Sequence, residues 1–174
     1  PLSEEWTTWS DIATKSMDQG AFSAFIEDHV HDVIDPAKAG KNATELAGIL
    51  GSELATPNRL MALSRGLNVN VGRRVQNATN LSTGEAQVAF IEEHSDQAGK
   101  PLRIPAAFAI AIPVFRDGKL WQLPVRLRYR VEGGRIWWLL KPHRMTETFL
   151  AVFREACEEA REKTELPLYF GRAE

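Results

Sequence analysis

Three arginines occupy every second position in the segment Val-Arg-Leu-Arg-Tyr-Arg-Val, which spans residues 125–131. A strict alternation of apolar and polar residues predicts a β-strand with one buried face. Arg126, Arg128 and Arg130 would then stand in a row on the other face. Guanidinium groups hold phosphate oxygens through charge-assisted hydrogen bonds. The chemistry predicted here is therefore the binding of an anionic partner rather than catalysis.

This strand is expected to open a hairpin. Gly133-Gly134 follows it, and a two-residue glycine turn joins two antiparallel strands. With that turn, Trp137 lies opposite Arg130, and Lys141 lies opposite the first arginine of the row. Cations that track a phosphate backbone beside a stacking aromatic are typical of nucleic-acid binding. The residues predicted to bind nucleic acid, single- or double-stranded, are Arg126, Arg128, Arg130, Trp137 and Lys141.

A second hairpin is predicted before the first. Asp117-Gly118 is a favoured two-residue turn, and it would join a strand at Phe108–Phe115 to one at Leu120–Val131. The apolar side chains of both strands then share a face that the C-terminal helix could cover. Small residues such as Ala109 fall on the arginine face, which predicts a shallow cationic surface.

Helices are expected at both ends of the chain. Ser3 is a candidate N-cap of a first helix, and Ser16 begins a capping-box pattern for a second helix that ends before Pro36. A third helix would begin after Thr44 and end before Pro57. The last helix is predicted over residues 146–164, followed by a short edge strand at 167–170.

These elements predict one α+β domain over residues 1–174: N-terminal helices, then an antiparallel sheet of about four to six strands, packed against a C-terminal helix. Charge divides it into three segments. The acidic helical segment, residues 1–56, carries a net charge of -7. The basic sheet segment, residues 57–144, carries +8, and the C-terminal segment, residues 145–174, carries -3. The positive charge of the central segment has two interpretations. It forms a phosphate-binding surface, or the acidic helices of the same chain pack near the sheet and partly neutralise it.

Composition excludes several classes of protein. The longest apolar run, Ile104–Phe115, is too short for a bilayer and contains prolines, so no membrane segment is predicted. Cys157 is the only cysteine, which excludes an internal disulfide. It lies between apolar turns of the predicted C-terminal helix, so a buried side chain is expected there. No nucleotide-binding glycine loop or nucleophile motif occurs. The sequence therefore predicts a cytoplasmic protein without a cofactor, and favours a non-enzyme.

The best cluster of metal-ligand types is Glu92-Glu93-His94-x-Asp96. Carboxylates and an imidazole suit a divalent cation, which leaves a metal-dependent hydrolase as an alternative. Adjacent residues at a strand end point in opposite directions, so few of them would share one ion. His29 and His31 fall on different sides of a helix, which is poor geometry for chelation. No metal site is therefore predicted.

An ordered set of short motifs resembles a known family. They are Glu5-Trp6-x-x-Trp9, Phe22-x-x-Phe25-Ile26-Glu27, Pro101-Leu102-Arg103-Ile104-Pro105, Ile112-Pro113-Val114-Phe115, Arg126-Leu127-Arg128-Tyr129-Arg130-Val131, Pro142-His143-Arg144 and Pro167-Leu168-Tyr169-Phe170-Gly171. Together they resemble the YfdQ-like family of phage and prophage proteins. The resemblance implies a phage or prophage origin, a bacterial host cell as location, and a C-terminal portion of the family's length. It implies no catalytic residues.

The leading hypothesis is a non-enzymatic phage or prophage accessory protein that binds nucleic acid through the arginine face. The alternative is a protein-interaction or self-assembling module, including one that counters host defence. It would use Trp6 and Trp9, expected to be exposed, and an acidic N-terminal third that could dock on the arginine face of another subunit. A homo-oligomer, a host protein or a phage protein would then be the partner.

Overall fold

The computed structural model describes residues 1–39, 41–69, 74–80, 85–91, 102–169 and 171. Two compact units make up the chain, Pro1–His143 and Arg144–Glu174. The helices are α1 (Glu4–Ile12), α2 (Gln19–His29), α3 (Pro36–Ala39), α4 (Lys41–Leu50), α5 (Pro57–Val69) and α6 (Met145–Thr164). The strands are β1 (Ser16–Met17), β2 (Arg74–Asn80), β3 (Ala86–Ile91), β4 (Leu102–Ile104), β5 (Ala107–Pro113), β6 (Leu120–Glu132) and β7 (Arg135–Pro142).

The first unit is built on a four-stranded sheet with the order β1-β7-β6-β5, in which every neighbouring pair is antiparallel. Helices precede its strands β5, β6 and β7 along the chain, β1 lies between α1 and α2, and α6 follows β7. The predicted α+β class is therefore confirmed. That α6 covers the sheet stays a prediction. Among the residues that the structure describes, no helix combines the length and the hydropathy that crossing a membrane requires.

The first two helices begin at side-chain caps. The Ser3 hydroxyl accepts a hydrogen bond from the Trp6 N–H at 3.0 Å, as the sequence predicts. Helix α2 begins later than predicted, because Asp18 and not Ser16 is its N-cap. Ser16 and Met17 instead pair with β7 as strand β1. A two-residue strand carries too few residues to show an alternation, so the sequence pattern misses it.

The segment between the third predicted helix and the hairpins differs most from expectation. Residues 57–69 form α5, a helix at the start of the segment 57–144 for which the sequence predicts a basic sheet. Pro57 is the first residue of α5, a position that proline favours because its missing N–H has no helical partner there. Strands β2, β3 and β4 then form a separate three-stranded antiparallel sheet.

The core lies between one face of the four-stranded sheet and the N-terminal helices. Trp138 of β7 is fully buried, and its ring stacks on Phe22 of α2 with centroids 4.6 Å apart. Trp9 of α1 is also fully buried, and its indole N–H donates to the buried carboxylate of Asp32 at 2.7 Å. Trp6 is only 5% exposed. The expectation that Trp6 and Trp9 are exposed is wrong, because their spacing of three residues places both on the core side of α1.

The two edges of the sheet differ, and only the β5 edge is shown to be bonded to other parts of the chain. Strand β1 pairs along the outer side of β7. On the other edge, three backbone N–H groups, those of Ser3, Ile34 and Ala55, donate to the β5 strand or the residue just after it. The acceptors are the carbonyls of Val114, Ala109 and Ala107, at 3.0, 2.9 and 2.8 Å. The carbonyls bonded in this way at the β5 edge are not available to a strand of another chain.

One of the two predicted turns is confirmed and the other differs in register. Gly133 and Gly134 both adopt positive φ, and Glu132 pairs with Arg135, as a two-residue turn requires. The β5–β6 connection is longer, because pairing ends with Pro113 opposite Leu120. The register is thus shifted by two residues from a two-residue Asp117-Gly118 turn, and the apolar side chains keep their common face.

The second unit consists of α6 and the residues after it. Glu165 ends the helix with positive φ, and its N–H donates to the Arg161 carbonyl at 2.9 Å. Residues 167–169 form no strand, and Phe170, the last residue of the predicted edge strand, lies outside the described residues. Apolar side chains are exposed along this unit. They are Leu150, Phe153, Leu166, Leu168 and Tyr169.

Candidate nucleic-acid interface

The β6–β7 hairpin places all five predicted binding residues on one face. Arg126 pairs with Lys141, Arg128 with Leu139, and Arg130 with Trp137, in the predicted register. Residues directly opposite each other in an antiparallel pair point to the same face. The face opposite the core therefore carries the row of cations and the indole, but its two ends differ in environment.

Arg126 is bound to the end of a helix. Its guanidinium donates to the carbonyl of Leu50 at 3.2 Å, and Leu50 is the last residue of α4. The last carbonyls of a helix have no helical partner and carry the negative end of the helix dipole. Arg126 thus satisfies a helix terminus and ties α4 to the sheet. It is not free to hold a phosphate without giving up that bond.

Lys141 has a similar role at the other strand. Its ammonium group donates to the carbonyl of Ala13 at 2.7 Å, and Ala13 is the C-cap of α1. A cation at a helix C-terminus interacts favourably with the dipole. Because this contact is exposed, Lys141 stabilises the helix end only weakly. Two of the five predicted binding residues are therefore engaged within the chain.

Replacing Arg126 with leucine is expected to lower the free energy of unfolding by about 1–2 kcal/mol, because the half-buried carbonyl of Leu50 loses a charged donor. The matched control is Arg128→Leu, an exposed arginine two residues along the same face, for which we expect a change within about 0.5 kcal/mol. Urea unfolding followed by circular dichroism measures both. Equal losses in the two variants would contradict the capping role.

The part of the face beside β5 is closed. Ala107 and Ala109 are at most 1% exposed, and Pro124 opposite Ala109 is buried. Pro124 is tolerated in a central strand because β7 ends at Pro142, and only the His143 N–H reaches the Pro124 carbonyl, at 2.8 Å. The predicted shallow surface around Ala109 is therefore absent from this described part of the sheet.

The open part of the face lies at the hairpin end. Arg128, Arg130 and Arg135 are exposed there, and Trp137 is partly exposed. We call these four residues the distal arginine patch. Arg135 was not among the predicted residues because it directly follows the turn. Its position two residues before Trp137 in β7 is the signal that places it on this face.

The patch is cationic, and one acid, Glu132, lies beside it. Glu132 lies 3.8 Å from Arg130, and their side chains are 69% and 59% exposed. An exposed pair at this distance contributes little stability. No hydrogen bond or ion pair joins the Arg128 side chain to another residue within the described ranges. The three arginines outnumber this one glutamate, so a net positive charge remains available to an anion.

The alternative of a metal site involves residues that are not among the described residues. Glu92, Glu93, His94 and Asp96 lie outside them. Within them, no group of three or more metal-ligand side chains comes together. The ring of His29 stacks on Phe25 with centroids 4.3 Å apart, and its Nδ1 hydrogen-bonds the Phe25 carbonyl at 2.9 Å. His29 is therefore engaged structurally.

Cys157 on α6 is partly exposed rather than buried. It lies in an open groove of about 340 Å³ together with Arg154, Glu158, Arg161 and Leu168. The expectation of a buried cysteine is wrong, since α6 buries Val152 and keeps most of its remaining side chains accessible.

Comparison with known proteins identifies the family of the chain but no individual relative. Neither the curated proteins nor the solved structures contain a match to the chain. One family model, described as an uncharacterised conserved protein (DUF2303), matches residues 1–173. The match covers almost all of the 174 residues. The chain therefore belongs to the DUF2303 family of uncharacterised conserved proteins.

Proposed function

We propose that this chain is a non-enzymatic phage or prophage accessory protein that binds nucleic acid through the distal arginine patch. The main support for this proposal is the difference between the two faces of the β6–β7 hairpin. One of its faces is held in the core through Trp138, while the other presents Arg128, Arg130 and Arg135 beside Trp137. The resemblance of the ordered motifs to YfdQ-like proteins supports the phage or prophage origin.

The proposed contacts are few and electrostatic. Each guanidinium presents a planar fork of donors that matches two phosphate oxygens. Three such contacts make binding weak and strongly dependent on salt, because bound counterions are released from the nucleic acid. The rigid sheet holds the arginines in fixed register, so little backbone ordering opposes binding.

The direct test is fluorescence anisotropy with labelled oligonucleotides of mixed sequence. We expect binding at low salt, weakened by Arg130→Ala and unaffected by Arg116→Ala. Arg116 is the matched control because it is exposed in the connection at the other end of β6. Equal affinities for the two variants, or no binding by the parent chain, would contradict the proposal.

Removing the acid beside the patch is expected to strengthen binding. Glu132→Gln abolishes the competing ion pair with Arg130 and one like-charge interaction with phosphate. We expect affinity to rise roughly 2- to 5-fold at low salt, with less gain at high salt. Anisotropy titrations at two salt concentrations measure the change, with Glu147→Gln on α6 as the control. A gain equal to that of the control would show that only net charge matters.

Self-assembly is a second candidate, and exposed apolar side chains on the second unit favour it. Leu150 and Phe153 on α6 are 44% and 37% exposed, and Tyr169 is 87% exposed. Sedimentation equilibrium of the full chain tests this candidate. Association that Phe153→Ser abolishes would support it, whereas a monomer at every concentration would rule it out.

A further inference from the structure

The distal arginine patch lies on a part of the hairpin that extends past strand β5. Pairing of β6 with β5 stops at Arg126, opposite Ala107. Pairing with β7 continues as far as Glu132, opposite Arg135. Arg130, Arg135 and Trp137 are therefore carried by a two-stranded ribbon at the end of the sheet, and Arg128 lies at its base, opposite Leu139, which also pairs with Ser16 of β1.

Trp137 lies between the arginines of this ribbon. It is directly opposite Arg130, which places their Cβ atoms roughly 5 Å apart, and it is diagonal to Arg128 at roughly 7–8 Å. Its neighbours Ile136 and Trp138 are at most 1% exposed on the opposite face. Because both neighbours are anchored in the core, the backbone of Trp137 is held in place. The indole is therefore attached at a fixed backbone position beside two exposed cations.

This arrangement fits a single strand better than a duplex. Bases in a duplex already stack on each other, whereas a single strand can offer a base to an aromatic side chain. A ribbon can enter a major groove, but here the hairpin end carries Glu132 toward two rows of phosphates. Repulsion between that carboxylate and the phosphates would oppose such docking, while a flexible single strand can contact the arginines and bend away from Glu132.

We infer that the ligand of the patch is single-stranded nucleic acid, with one base stacked on Trp137 and neighbouring phosphates held by Arg128, Arg130 and Arg135. The inference rests on the proposed function and narrows its ligand. The backbone contacts do not distinguish DNA from RNA, so both are probes in the test.

The experiment compares four labelled probes of equal length: single-stranded DNA, single-stranded RNA, duplex DNA, and DNA whose central nucleotides are abasic. The abasic probe keeps the phosphates and removes the bases. We expect the full chain to bind at least one single strand roughly 10-fold or more tightly than the duplex. Trp137→Ala should weaken that binding roughly 5- to 150-fold, while Trp137→Phe should retain most of it.

The abasic probe makes the result independent of folding defects in a variant. The parent chain should bind it more weakly than the intact strand, and Trp137→Ala should remove that difference. Equal affinities for duplex and single strands would overturn the inference and leave the proposed function in place. So would equal affinities of the parent chain for abasic and intact strands. Failure to bind any of the four probes would overturn both.

Discussion

Replacing Trp138 with alanine is expected to lower the free energy of unfolding by about 3–5 kcal/mol. The side chain is fully buried and stacks on Phe22, so alanine removes a large ring and leaves a cavity between β7 and α2. Natural domains are stable by only about 5–15 kcal/mol, so the variant would lose a large share of its stability. Urea unfolding followed by near- and far-ultraviolet circular dichroism measures the loss.

The adjacent tryptophan supplies the control. Trp137→Ala changes the same side chain on the neighbouring residue of the same strand, but on the face away from the core. We expect it to cost about 1 kcal/mol or less. Trp138→Phe should lie between the two, because it keeps a ring against Phe22. Equal losses for Trp137→Ala and Trp138→Ala would mean that the faces of β7 are assigned wrongly.

Reversing two charges in the distal arginine patch is expected to reduce nucleic-acid affinity roughly 100-fold or more at low salt. The variant Arg128→Glu/Arg130→Glu removes two of three guanidinium contacts and adds two carboxylates that repel phosphate. Both side chains are exposed, so stability should change little. Anisotropy titration measures the affinity, and thermal unfolding verifies the fold.

The control for this variant has the same net charge. Arg116→Glu/Arg154→Glu reverses two exposed arginines outside the patch, one in the β5–β6 connection and one on α6. We expect it to lose only the small part of the affinity that depends on overall charge. An equally large loss in this control would assign the binding to net charge and not to the patch.

The hairpin could be predicted from sequence because its determinants are local. Alternation sets the two faces of β6, and the glycines at 133 and 134 set the register with β7. The burial of Trp6 and Trp9 was not predicted, because its determinants are only partly local. Their shared helix face could be read from the sequence, but which side of α1 meets the sheet depends on residues more than 100 positions away, such as Pro113, which accepts a hydrogen bond from Ser3.

The engagement of Arg126 and Lys141 could not be predicted in this way. Their acceptors, the carbonyls of Leu50 and Ala13, are 76 and 128 positions away along the chain. No local pattern indicates which helix end will reach a given strand. An arginine row therefore identifies a cationic face, and only the tertiary structure divides it into residues that cap helices and residues that remain open.

The most direct test of the central claim is a salt series with the parent chain and a labelled single-stranded oligonucleotide. The logarithm of the binding constant is plotted against the logarithm of the salt concentration between about 50 and 200 mM. Three arginine–phosphate contacts predict a slope of about -2, and Arg128→Ala/Arg130→Ala should reduce it to about -0.7. A slope that this variant leaves unchanged, or no binding at the lowest salt concentration, would contradict the account.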